Sequence, residues 1–337
     1  MNDLAYFKSN STAEAIAKVS NDDQSRFIGG GTNIIDLIKY NLFFPSSLVD
    51  INGLKKEIII KTDDGILIDA FAKNADLAYH QTIEDQYPLL SRAILAGASP
   101  QIRNMATNGG NLLQRTRCYY FYDANTPCNK REPGSGCSAL NGYNRNMAIL
   151  GTTEHCIAVF PSDMCVALAA LNASVHIAGP KGNRILQFAD FHRLPGDTPH
   201  LDNNLQHGEL IIGIELPNRG FNKYHSYLKL RDRNSYAFAL VSVATGFEIE
   251  LDVITEARIA LGGVAHKPWR VTEAEEFLKG KSPDSANFAL AADIVLGGAK
   301  GYGFNDFKIG LAKKAIIRNC MMALDPSSQL PGAQPSL

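Results

Sequence analysis

The sequence predicts an α+β protein, on three observations. A short strand, three consecutive glycines and a helix-like tail open the chain in "SRFIGGGTNIIDLIKY". Two hairpin signals follow, in "EIIIKTDDGILIDAFAKN" and "SVHIAGPKGNRILQFADF". The last third of the chain reads as strands first and helices afterwards. That segregation favours α+β over a doubly wound sheet.

In order along the chain, "AEAIAKVS" spaces its apolar residues for a short amphipathic helix. "SRFIG" is a strand, and Ile34, Ile35, Leu37 and Ile38 recur at helical spacing behind the glycines. "SSLVDING" predicts a strand and a turn. Asp64–Gly65 joins two strands, because Asp-Gly readily adopts the conformations of a tight hairpin turn. "NADLAYHQTIEDQYPLLSRAILAGAS" predicts two helices, the first capped by Asn74. Residues 101–146 are rich in Gly, Asn and Arg and show no clear periodicity. Their length marks a functional or a disordered loop, and their cysteines and aromatics argue against disorder. "MAILG" and "HCIAVF" predict two strands, and "PSDMCVALAALNA" a helix starting near Pro161 or Ser162. "ELIIGIELP" is a strand, and residues 217–220 read as a linker. Beyond it, "NKYHSYLKLRDRN", "ALVSVATGFEIEL" and "TEARIALGGV" predict strands. "VTEAEEFLKG", "SANFALAADIVLGG" and "FKIGLAKKAIIRNCMMAL" predict helices. The polar, Pro-rich end "DPSSQLPGAQPSL" reads as a frayed tail. The expected division is 1–55, 56–217 and 221–324, with a flexible tail at 325–337.

A chain of 337 residues is long enough for two or three domains with real cores. Hydrophobic residues at 45%, charged residues at 20% and a net charge of −1 describe a soluble globular composition. It lacks the basic excess of a nucleic-acid binder. No apolar run reaches the roughly 18–20 residues that span a bilayer. "MNDLAYFKSNSTAEAIAKVS" has no charged leader followed by an apolar core, so no signal peptide is expected. The expectation is a cytoplasmic chain, or one exported folded with a signal-bearing partner.

The glycines pose a specific question, since each costs roughly 0.5–1 kcal/mol relative to alanine inside a regular element. A P-loop needs Lys-Ser or Lys-Thr after its last glycine, and Thr32-Asn33 stands there instead. A dinucleotide fingerprint needs G-x-G-x-x-G, which "GGGTNI" does not complete. Two readings stay open on this stretch: an ordinary strand–helix turn, and a nest of amides before a helix N-terminus that receives an anionic oxygen. "ATNGGNLLQ", residues 106–114, repeats the theme. It is either a second wall for a phosphorylated ligand or a turn held by Asn side chains.

Six cysteines are present, and four follow the spacing Cys118-x9-Cys128-x8-Cys137-x18-Cys156. This fits neither zinc-finger nor ferredoxin rules. From the residues alone, an iron–sulfur cluster, zinc and unligated thiols are equally open. Arg115, Arg117, Lys130 and Arg131 lie close by in sequence and would offset a cluster's negative charge. Cys156 sits in an apparent strand, and His155 is a less favoured substitute for it. Cys165 and Cys320 lie on apolar helices and are expected in the core.

"FIGGGTNIIDLIK", "TNGGNLL", "PSDMCVALAAL", "GELIIGIELP" and "LGGVAHKPWR", in that order, resemble the FAD-binding subunit of the xanthine dehydrogenase family, the molybdenum hydroxylases. "NLLQRTRC", "PCNKR", "PGSGC" and "SYAFALVSVA" are similar to the flavin subunits of bacterial three-subunit aldehyde oxidoreductases. The resemblance implies a vanillyl-alcohol-oxidase-like (PCMH-type) FAD fold in two α/β subdomains, 1–55 and 56–217. It also implies a C-terminal α+β domain of a small antiparallel sheet and helices. Phe27, Ile28, Gly29, Gly30, Gly31, Thr32, Asn33 and Ile34 would wrap the FAD pyrophosphate. Thr107, Gly110 and Asn111 would form the second wall. Asp163 would bind the cofactor, with a helix cap as its alternative role. A main-chain group near Leu210 would touch the flavin. Lys229 would sit near the ring or the phosphates, with a solvated strand lysine as its alternative.

Some members of this family insert a loop that binds a 4Fe–4S cluster, and the resemblance carries Cys118, Cys128, Cys137 and Cys156 onto it, in a loop at about 112–156. An extended chain covers at most about 3.3–3.6 Å per residue, so Cys118 lies within roughly 25 Å of Asn111. The implied function is electron transfer within a heterotrimer. A large subunit would hold the molybdenum cofactor, a small subunit 2Fe–2S clusters, and this chain FAD that discharges to an external acceptor. The alternatives are a stand-alone flavin oxidase or dehydrogenase of the same fold, a 4-hydroxybenzoyl-CoA-reductase-like subunit, and a zinc-holding scaffold. No membrane or nucleic-acid partner is expected, and no catalytic side chain is assigned to this chain.

Overall fold

The structure, a computed structural model, describes residues 4–329. Residues 1–3 and the end of the expected tail, 330–337, lie outside the described residues. Three sheets organise the chain. β1 (Ala5–Lys8), β2 (Ser25–Ile28) and β3 (Ser47–Asp50) form a parallel sheet in the order β1-β3-β2. Helix Thr12–Ser20 covers it, burying Ala15, Ile16 and Val19, and is capped by Ser11, whose hydroxyl accepts from the Glu14 amide. The third-residue glutamate returns the contact, its carboxylate accepting from the Asn10 amide at 2.7 Å. These two bonds satisfy helix-end donors that water would otherwise hold.

The second sheet is antiparallel and five-stranded, in the order β4-β5-β8-β6-β7. Its strands are β4 (Ile59–Lys61), β5 (Gly65–Asp69), β6 (Ser174–Gly179), β7 (Gly182–Gln187) and β8 (Leu210–Pro217). The Asp64–Gly65 turn and the β6–β7 hairpin form as the sequence expects. Helices Pro88–Ala96 and Asp163–Ala170 pack into its largely aliphatic core. The third sheet, β12-β11-β10-β9, is antiparallel. It comprises β9 (Tyr224–Leu230), β10 (Val241–Glu250), β11 (Val253–Gly262) and β12 (Trp269–Arg270). Helices Thr272–Leu278, Ser285–Val295 and Phe307–Leu324 bury Phe288, Ala315 and Ile316 in its core. Strands precede helices here, as an α+β arrangement requires. Among the described residues no helix is long and apolar enough to cross a membrane.

Several local expectations need correction. The segment after Lys73 holds three helices, Asn74–Ala78, Gln81–Gln86 and Pro88–Ala96, rather than two. Asn74 does not cap the first: it is the first helical residue, and its buried amide bonds Asn108 Oδ1 at 2.9 Å. "MAILG" and "HCIAVF" form no strands. Their backbone groups are met by the C-terminal part of the chain instead. Ile149 and Leu150 both donate to Val264 O, Lys308 Nζ to Met147 O at 2.8 Å, and Asn305 Nδ2 to Ala148 O at 3.0 Å. The tail is not frayed up to Gln329, whose amide donates to His225 O and Met322 O.

Candidate flavin cavity and cysteine site

A cavity of ≈ 950 Å³ opens where the three sheets meet. Its size is near the upper end of cofactor sites. The glycine loop forms one wall. A Cβ on Gly30 would stand 1.9 Å from Met105 O, and one on Gly29 2.7 Å from Thr107 Oγ1. Gly31 adopts φ +73°, a left-handed conformation that L side chains disfavour. The first two glycines therefore exist to let the first loop touch the second. Two side chains reinforce that contact: Asn52 Nδ2 donates to Gly29 O at 2.8 Å, and Lys73 Nζ bridges Asn52 Oδ1 and Met105 O.

With that packing in place, Gly29, Gly30, Gly31, Thr32, Asn33 and Ile34 all border the cavity. Gly30, Gly31 and Thr32 present amides without a hydrogen-bond partner among the described residues. Asn33 Oδ1 accepts from the Arg115 amide at 2.9 Å, while its Nδ2 is buried without a partner among the described residues. Phe27 also borders the cavity, whereas Ile28 is buried away from it.

Thr107 caps the helix Asn108–Leu112, its Oγ1 accepting from the Gly110 amide at 3.2 Å. Thr107, Gly110 and Asn111 line the cavity. Asn111 is also a structural knot, since its side chain bonds Asn74 Oδ1, Ser162 Oγ and Gln114 Nε2. The turn is held by Asn side chains, as one reading expects, and the same element lines the cavity.

Ser162, not Asp163, caps the helix Asp163–Ala170, its Oγ accepting from the Cys165 amide. Asp163 is freed for another task. Its Oδ1 accepts from Tyr227 OH at 2.6 Å and its Oδ2 from Lys229 Nζ at 2.8 Å, and the residue borders the cavity. Lys229 is not a solvated lysine: its side chain is 4% exposed and also donates to Ala96 O. It stands behind Asp163 rather than on the cavity wall. Burial, then the neighbouring Asp163 charge, pushes the Tyr227 phenol well above its ordinary value. Leu210, at the start of β8, lines the cavity.

The four clustered cysteines come together. Cys118, Cys128, Cys137 and Cys156 border one small enclosed void of ≈ 10 Å³. All are free thiols; three are buried and Cys137 is partly exposed. Cys128 and Cys137 face each other across an antiparallel bridge. Cys118 borders both this void and the large cavity. Burial pushes the Cys118 thiol up to about 11. Cys137 is the thiol favoured to ionise, because it accepts from Cys156 and lies near backbone amides. Among the described residues, no three His, Cys, Asp or Glu side chains are grouped so as to hold a metal ion. Cys165 and Cys320 lie in two separate cores, as expected, and burial pushes each thiol up to about 12.

The cations around this loop are already engaged. Arg115 Nε bonds Asp202 Oδ2 at 2.6 Å, and the buried Lys130 bonds Pro199 O and Asp202 Oδ1. Arg117 pairs with Asp36 on the helix behind the glycines, and Arg131 donates to the carbonyls of Tyr120, Phe121 and Thr126. Cys156 is held as the thiol, pushed well up by its bond to Cys137 and by burial, and of the four cations Lys130 opposes that shift. His155 is half-exposed beside Asp197 and does not border the void. The imidazole that reaches Cys156 belongs to His266, 110 residues away, with Nε2 at 3.2 Å from Sγ. No local signal could have found it.

The comparisons agree with this architecture. Residues 2–219 match the family described as the FAD binding domain in molybdopterin dehydrogenase, and residues 225–304 the CO dehydrogenase flavoprotein C-terminal domain. The chain is 46% identical to the aldehyde oxidoreductase FAD-binding subunit PaoB of Escherichia coli, over 94% of this chain and 96% of that protein. It is 27% identical to the glyceraldehyde dehydrogenase medium chain of Sulfolobus acidocaldarius, over 87% and 85% respectively. Quinoline 2-oxidoreductase from Pseudomonas putida 86 shares the fold at a TM-score of 0.73 and 23% identity, covering 97% of this chain and 99% of that one. CO dehydrogenase from Oligotropha carboxidovorans does so at 0.75 and 21%, covering 96% and 98%. This chain belongs to the molybdenum hydroxylase family, as its FAD-binding oxidoreductase subunit.

Proposed function

We propose that this chain is the electron-transferring flavoprotein of a heterotrimeric molybdenum hydroxylase that oxidises aldehydes to carboxylic acids. The carrying observation is its 46% identity, nearly end to end, with a subunit of a bacterial aldehyde oxidoreductase. Substrate would be oxidised at a molybdenum cofactor in a large partner, and electrons would arrive through 2Fe–2S clusters in a small one. Bound FAD supplies the chemistry of accepting electrons singly and releasing them in pairs to an external acceptor.

The chain's own residues bind and orient the cofactor. The amides of Gly30, Gly31 and Thr32 border the cavity just before the helix Ile34–Lys39 and would donate to the cofactor's phosphates. Asn33 Nδ2, buried without a partner among the described residues, would suit a cofactor oxygen. Thr107, Gly110 and Asn111 form the facing wall, and Leu210 closes a third side. Asp163 would bind the cofactor directly, and Lys229 would hold that carboxylate in place from behind.

Cys118, Cys128, Cys137 and Cys156 would carry one 4Fe–4S cluster. The donors are right in kind, four free thiols around one enclosed void, the ligand complement of such clusters, although their spacing among the described residues does not yet group them around a metal. The void as it stands has room for about one water, so loading requires the sulfurs to draw apart. The cluster's main role here would be to staple the loop, because metal-binding free energy becomes folding free energy.

Visible spectra with iron, molybdenum and flavin analysis of the purified complex test this reading. A flavin and iron–sulfur spectrum, molybdenum in a co-purifying large subunit, and turnover of an aldehyde are expected. A lone flavoprotein that oxidises substrate without molybdenum would overturn it.

A further inference from the structure

We infer that His266 is a hydrogen-bond donor to Cys156 that sets the reduction potential of the iron–sulfur cluster, so that the C-terminal domain tunes a centre housed in the FAD domain. The inference rests on the iron–sulfur reading of the four cysteines.

His266 follows β11 in "LGGVAHKPWR", a stretch that the flavin site does not use. The segment is anchored by its backbone. Val264 O accepts from Ile149 and Leu150, and Ala265 O accepts from the Phe160 amide at 3.0 Å. That register delivers the buried imidazole to Cys156, Nε2 to Sγ at 3.2 Å. Nδ1 is buried and has no partner among the described residues, so within them the ring makes its polar contact with the sulfur. The acceptor within reach of the Nε2–H is the Cys156 sulfur, and a thiolate accepts better than a thiol.

The physical consequence has a sign. Reduction adds negative charge to the cluster and its sulfurs. An N–H···S bond stabilises that charge, so it raises the reduction potential. Removing the donor makes the cluster harder to reduce. His155, adjacent to Cys156 in sequence, is turned to Asp197 and cannot substitute.

The test is an EPR-monitored redox titration of the intact complex, with iron and FAD quantified in each preparation. His266→Phe and His266→Asn both remove the reaching Nε2–H donor, whereas His266→Gln keeps an amide donor near the same position. The expected result is a cluster potential shifted to more negative values in the Phe and Asn variants, nearer wild type in Gln, with iron and FAD unchanged. Two removal variants guard against one failing to fold. Wild-type potentials in iron-replete Phe or Asn variants would overturn the inference and leave the cluster standing. Wild-type protein with no iron in this chain would overturn the cluster itself.

Discussion

Lys229 Nζ stands 2.8 Å from Asp163 Oδ2, and both side chains are buried. The lysine rises from β9 of the C-terminal sheet, and the aspartate opens a helix at the cavity wall. One ion pair thus bolts the C-terminal part of the chain to the flavin site. Tyr227 OH, from the same strand, holds the other carboxylate oxygen.

Breaking that pair from one side leaves a buried charge unmatched. Lys229→Met is expected to cost about 3 kcal/mol, the scale for a severed buried pair. Melting temperature and FAD content should fall together, since Asp163 loses its position. Asp163→Asn should do the same, and the double variant should cost less than the sum of the two. A Lys229→Met protein with normal flavin occupancy and normal unfolding would contradict the positioning role.

The glycines make a sharper contrast. Gly30→Ala places a methyl 1.9 Å from Met105 O, so one of the two loops must move. Loss of FAD from the purified protein is expected. Gly310 lies inside the helix Phe307–Leu324, where an added Cβ meets nothing within 4 Å. Gly310→Ala should therefore stabilise by roughly 0.5–1 kcal/mol without touching flavin content. Calorimetry and flavin absorbance read both effects.

Asp202 gives a prediction with pH. Burial opposes its ionisation, but the Lys130 and Arg115 charges and hydrogen bonds outweigh it and hold the carboxyl below its ordinary value. A depressed folded value contributes stability that is complete above the unfolded value of about 3.9 and is lost as pH falls through the folded one. The cysteine loop should stay anchored at mildly acidic pH and loosen only in stronger acid. Asp202→Asn should remove that anchor at every pH, which hydrogen exchange of residues 112–156 would show.

Where turn chemistry was local, the sequence was easy to read. Asp64–Gly65 and the β6–β7 hairpin announced themselves, and so did the run of helices after β12. Errors arose where distant groups decide. Met147 and Ala148 look like strand residues, but Lys308 and Asn305 satisfy their carbonyls, so no ladder forms. The helix start at Ser162 was read correctly, but that the neighbouring Asp163 turns to Tyr227 and Lys229 was not. The three glycines were legible only as a turn or an amide nest. That Gly29 and Gly30 make room for the protein's own Thr107 and Met105 was not, because nothing local encodes a contact across some 75 residues. His266 at Cys156 was hidden for the same reason.

The most direct test is the cofactor content of the purified complex, wild type against Cys128→Ser. The account predicts one FAD per wild-type chain. It predicts four iron atoms fewer in the variant, with flavin or assembly lost as the loop comes away from Asn33 and Asp36. Equal iron in the two proteins, or a wild-type chain without flavin, would contradict it.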